Sequence, residues 1–104
     1  MSKIPLTKDF FTAIIHDPRI SPTHISLYMA LLHWSEIKGD MNPIYVFSRE
    51  IMPIAKFSSV ATYHRLIREL HEYGYVRYDP THHPFVGSRV EILEVWEPGR
   101  RENW

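Results

Sequence analysis

Apolar residues recur along the first two-thirds of the chain at three- and four-residue steps, and after Gly74 at every second position, so the pattern passes from helix to strand. Phe10, Phe11, Ile14 and Ile15 follow Thr7, a capping residue, and precede Asp17-Pro18, which predicts a short helix over 7–16. Ser21-Pro22-Thr23 is a second helix start, with serine as N-cap and proline pre-set for the first helical position. Ile25, Tyr28, Met29, Leu32 and Ile37 form its stripe, Leu31 and Trp34 widen it, and Gly39-Asp40 ends it. The breadth of that stripe makes 22–37 the expected central helix of the core.

Met41-Asn42-Pro43 reads as a turn, and Ile44-Tyr45-Val46-Phe47 as a brief strand. Ser48 then caps a helix that Pro53 must either cut short or kink, because proline removes a hydrogen bond and crowds the preceding turn. Ile54-Ala55-Lys56-Phe57 is the expected turn to the next helix, placed at 59–73, for which Ser58 or Ser59 is the cap. Val60, Tyr63, Ile67 and Leu70 supply its inward stripe, and Gly74 the left-handed residue that closes it. Tyr75–Tyr78 and Arg89–Val95 alternate as strands around a loop at 79–88 that holds two prolines and a glycine. That hairpin is too long for a tight turn. Residues 96–104 read as a tail, and the whole chain as one domain.

The order of these parts matters more than any one of them. A core helix, a short strand, a helix–turn–helix over Ser48–Tyr73 and a long-looped hairpin resemble a winged helix-turn-helix domain over about residues 21–95. The stretch from Ser58 to Val76 carries the likeness: a Ser/Thr-rich start, Arg65, Leu66, and the exit Glu72-Tyr73-Gly74-Tyr75-Val76. The fold class this implies is α+β, mainly helical: a three-helix core, a hairpin wing and an extra N-terminal helix. The likeness is also to small regulators and to initiator proteins of plasmids and mobile elements. Pro53 and an apolar, histidine-bearing wing tip (His82-His83-Pro84-Phe85-Val86) depart from the pattern.

The resemblance implies sequence-specific binding of double-stranded DNA, by a transcriptional regulator or a replication or recombination accessory factor. Helix 59–73 would enter the major groove and the 79–88 loop would meet backbone or minor groove. With Val60, Tyr63, Ile67 and Leu70 turned inward, Ser58, Ser59, Thr62 and Arg65 face outward, flanked by His64 and Arg68. Arginine can donate two bonds to guanine, and short hydroxyls can meet bases or phosphates. Lys56 in the turn, His82 and His83 in the loop and Arg89 at its base complete the expected DNA-binding set.

Composition shapes this picture without overturning it. Twelve basic and twelve acidic residues balance, where a nucleic-acid binder ordinarily carries a basic surplus. The surplus here is local: residues 56–89 hold five Lys and Arg against three Asp and Glu, together with four of the seven histidines, which gain charge as pH falls. Without cysteine there are no disulfides or thiolate sites, and no His-Glu-x-x-His or Gly-rich phosphate loop occurs, so no metal, cofactor or catalytic role is expected. The absence of a long apolar run or a signal-like start leads to an expectation of a cytoplasmic protein that does not enter a membrane. A lone winged helix makes a small interface, about 600–1,000 Å², which favours a homodimer built through helix 7–16 or the 96–104 tail. Net neutrality and the apolar wing tip support the alternative, a winged-helix protein-interaction module without DNA binding.

Overall fold

The computed structural model describes residues 7–93. Its elements in chain order are α1 (Thr7–Ile14), α2 (Pro22–Ile37), β1 (Ile44–Val46), α3 (Ser48–Ala55), α4 (Val60–Glu72), β2 (Val76–Asp79) and β3 (Ser88–Ile92). The class is α+β, with about half of the described residues helical and a small antiparallel sheet. The last two residues of the strand expected at 89–95 and the tail at 96–104 lie outside the described residues.

The central helix α2 has the bounds its pattern predicts. Ser21 Oγ accepts from the His24 N–H, and the His24 ring returns the favour, its Nδ1 accepting from the Ser21 N–H at 3.0 Å. A histidine thus fills the place that Glu or Gln usually takes in a capping box. Leu27, Tyr28, Ala30, Leu31, Leu32 and Ser35 are all buried, a belt too wide for one neighbour to cover. The stripe stops short of its expected end: Ile37 is 56% exposed, because the helix closes there on Gly39 and Asp40, both at positive φ.

Helix α1 ends at Ile14 rather than at residue 16, its last turn tightening through His16 N–H to Ala13 O and Asp17 N–H to Ile14 O before Pro18. Phe10 is fully buried, its ring stacked on Tyr28 with centroids 3.8 Å apart. The segment after α1 is tied down by Asp17. Its carboxylate takes two side-chain bonds from Arg19 (2.8 and 2.9 Å) and one from the Tyr75 hydroxyl (2.6 Å). Arg19 also lies over the Tyr73 ring, 4.2 Å from its centroid. The helix–strand exit is therefore bolted to the α1–α2 connection.

Helix α3 resolves the Pro53 problem by being short. It spans eight residues, with Phe47 rather than Ser48 at the cap position and the Glu50 carboxylate accepting from the Phe47 N–H (2.9 Å). Pro53 is exposed and forfeits one bond near the end of the helix. Lys56, at φ 68°, turns the chain, and its N–H and that of Phe57 both donate to Met52 O. The turn begins at Lys56, two residues later than the sequence predicts, because Ile54 and Ala55 stay helical. Ser26 Oγ–H on α2 donates to Ala55 O (2.5 Å), fixing that end.

The sheet has the order β1-β3-β2. Ile44 pairs with Val90 and Val46 with Ser88 on one side of β3; Val76 pairs with Ile92 and Asp79 with Arg89 on the other. Ile44, Val46, Val76, Tyr78, Val90 and Ile92 turn inward onto the helices, in period-two alternation. The Asn42 side chain brackets the end of β3, donating to Ile92 O and accepting from its N–H (both 2.9 Å).

Two variants test this packing. The Tyr28 hydroxyl is buried with no hydrogen-bond partner among the described residues, so Tyr28→Phe should raise stability by about 1 kcal/mol in urea unfolding. The Arg19 side chain, reinforced by the Tyr75 hydroxyl, holds the Asp17 carboxyl well below the usual carboxylate range against the opposing effect of burial. A depressed folded pKa adds stability above the unfolded value, about 3.9, that is lost as pH falls below it. Asp17→Asn should then cost about 1–3 kcal/mol at pH 7, with the gap to the native chain narrowing by pH 3.

Candidate nucleic-acid interface

Helix α4 begins as its cap dictates. Ser59 is the N-cap, its Oγ accepting from the Thr62 N–H (3.2 Å), while Ser58 is exposed and uncommitted. The buried stripe is Tyr63, Leu66, Ile67 and Leu70. Val60, expected inward, is 50% exposed, because the first turn projects beyond the core and burial starts at Tyr63. Opposite that stripe, Ala61, Arg65, Arg68 and Glu72 are exposed, with Thr62 and His64 half-buried on the two flanks. At the far end Gly74, at φ 89°, makes the left-handed closure the sequence predicts.

The histidine of the α2 capping box also sets the position of α4. His24 Nδ1 is already an acceptor, which puts the ring proton on Nε2, and Nε2 reaches Glu69 Oε1 at 2.7 Å. Glu69 in turn takes Arg65 at 3.4 Å, one turn back on α4. Arg65 is 60% exposed, so this pair is worth only about 0.3–0.5 kcal/mol and yields readily to a competing anion.

Basic side chains divide into two groups. Arg19, Arg65 and Arg89 are ion-paired within the chain. Arg89 sits on the outer face of the sheet between Tyr45 and Asp79 in register and meets Asp79 (3.3 Å) and Glu91 (3.4 Å). Lys38, Arg49, Lys56, Arg68 and Arg77 have no ion-pair partner among the described residues and are exposed. Of these, Arg49 is one that sequence reasoning missed. It stands on the first turn of α3, its guanidinium 4.2 Å from the Phe47 ring centroid.

Arg49 also marks where the expected residues converge. A groove of about 310 Å³ opens between the start of α3, the flank of α4 and the hairpin loop. Arg49, His64, His82 and His83 line it, with the hydroxyls of Ser48, Thr81 and Ser88. Every polar side chain in its wall can donate a hydrogen bond, and no carboxylate lines it. His83 Nδ1 accepts from the Phe85 N–H (3.1 Å), which leaves its Nε2–H free to donate. Of the predicted set, then, His64, His82 and His83 share the groove; Lys56, Ser58, Arg65 and Arg68 lie on the turn and outer face of α4, with Thr62 half-buried on its flank; and Ser59 and Arg89 are committed to structural bonds. Among the described residues no cluster of His, Asp or Glu is arranged to hold a metal ion, and no helix is long and apolar enough to cross a membrane. No family model, curated protein or solved structure matches the chain.

The His24–Glu69 bond gives a test of how α4 is positioned. His24→Ala removes the capping-box return bond and leaves Glu69 without its buried donor, so it should cost about 1–3 kcal/mol by chemical denaturation. Ser21→Ala, which removes only the cap, should cost about 1 kcal/mol.

Proposed function

We propose that the protein binds double-stranded DNA as a winged helix-turn-helix domain. Helices α2, α3 and α4 are the three-helix core, α3 and α4 the helix-turn-helix, and β2, β3 and the loop at 80–87 the wing. The observation that carries this reading is a groove between α3, α4 and the hairpin loop walled by Arg49, His64, His82 and His83 with no carboxylate, together with the unpaired, exposed Lys56 and Arg68 on the turn and the outer face of α4. Phosphates are the ligands that such a surface suits, and α4 is the element that a major groove of about 12 Å would admit. Arg68 and, once drawn from Glu69, Arg65 are the side chains placed to read base edges; Arg49, Lys56 and the loop histidines would hold the backbone. The role is one of recognition rather than catalysis, in transcriptional regulation or as an accessory factor in replication or recombination.

Phe85 and Val86, exposed at the loop tip, favour a second reading in which the same surface docks a protein. Salt separates the two. Three to five phosphate contacts should give a log–log slope of about −3 to −4 when duplex affinity is followed by fluorescence anisotropy between about 50 and 200 mM salt. Arg49→Ala and Lys56→Ala should each flatten that slope by about 1. Absence of duplex binding at the lowest salt would instead assign the surface to a protein partner.

A further inference from the structure

Phe85 is the most exposed of the large hydrophobic side chains described, at 84%, and the chain holds it there. Val86 N–H donates to His83 O (3.3 Å), closing a turn with Pro84 at its second position. Phe85 N–H donates to His83 Nδ1 (3.1 Å), His83 N–H to Thr81 Oγ1 (3.2 Å), and Thr81 N–H to Ser88 Oγ (3.1 Å). Gly87 anchors the base of the loop: a Cβ there would lie 2.7 Å from the Val46 backbone nitrogen, so only glycine lets the loop sit this close to β1. The result is a braced tip with an aromatic ring at its point and the His83 ring 6.0 Å beside it.

What meets this ring is set by what surrounds it. His82, His83, His64 and Arg49 line the groove behind the tip, and no carboxylate does. An apolar protein surface pressed onto Phe85 would leave that guanidinium and those imidazole donors without partners, whereas a nucleic acid supplies an apolar step and flanking phosphates together. Apolar wedges on minor-groove binders enter base steps, unstack them and bend the duplex. We propose that Phe85 is such a wedge: it enters a base step of bent duplex DNA while Arg49 and the groove histidines hold the adjoining phosphate. This rests on the DNA-binding reading and adds to it a preference for deformable DNA.

The test compares two duplexes of about 20 base pairs, alike except that one carries a central single-nucleotide bulge, end-labelled for anisotropy and for energy transfer. A bulge is already unstacked, so a wedge spends nothing on opening it. The native protein should bind the bulged duplex at least about tenfold more tightly and should shorten the end-to-end distance of the intact one. Phe85→Ala should bind both duplexes equally, without bending and with an unchanged salt slope. Because Phe85 is exposed, thermal unfolding should confirm that this variant is folded. Equal affinity of the native protein for the two duplexes without bending, or a preference retained in Phe85→Ala, overturns the wedge and leaves DNA binding standing. No binding to either duplex at about 50 mM salt overturns both.

Discussion

Helix α2 is apolar around most of its circumference, and everything else in the fold follows from the need to cover it. A helix with a wide apolar belt must be buried on several sides at once. Phe10 of α1 stacks on Tyr28, and α3 and α4 pack against the same helix. The sheet closes the remaining core through Ile44, Val76, Val90 and Ile92. Each large aliphatic side chain withdrawn from water contributes about 1.5–3 kcal/mol, far more than any exposed ion pair in the chain. Polar contacts then choose among arrangements that would bury the belt equally well. His24 to Glu69 positions α4 along α2, Ser26 to Ala55 fixes α3, and Asp17 to Tyr75 ties in the helix–strand exit.

The same packing decides which charges are left for a ligand. With Tyr63, Leu66, Ile67 and Leu70 inward, α4 must turn Arg65 and Arg68 outward. The β3 register places Arg89 opposite Asp79, where it stabilises the outer face of the sheet. The pairs Asp17–Arg19, Glu69–Arg65 and Asp79–Arg89 cancel acid against base, so the surface is set by where the unpaired charges stand, among them Arg49, Lys56 and Arg68 on α3, the turn after it and α4, and Glu36 and Asp40 towards and beyond the end of α2.

How much of this was legible depended on how local the cause was. The bounds of α2, the Ser59 cap and the left-handed Gly74 are set within a few residues and were readable to within a residue or two. The inward positions of β2 and β3 follow from alternation in the same way. Val60 and Ile37 continue their helical stripes in sequence but lie at helix ends, beyond what the core covers, and periodicity carries no sign of that. The pairing of β1 with β3, the histidine in the capping box that also reaches Glu69, and the meeting of Arg49 with His64, His82 and His83 depend on contacts across 40 residues or more or on the hairpin folding back. Arg49 was therefore missed, and the pairing of Arg89 with Asp79 and Glu91 was not foreseen, although both are plain arginines in the sequence. The braced tip was legible in part: Pro84 and Gly87 mark a turn, but the contact that requires glycine is with β1.

The central claim is that α4, the start of α3 and the hairpin loop act as one DNA-facing surface. The most direct test is nuclear magnetic resonance mapping of the isotope-labelled protein titrated with a short random duplex at low salt. The account predicts fast-exchange shifts at Arg49, Lys56, His64, Arg68 and His82–Phe85, moving together along one titration curve. Shifts confined instead to Phe11 on α1 and Ile15 just after it, or to Ile37 at the end of α2 and Met41 beyond it, would contradict it.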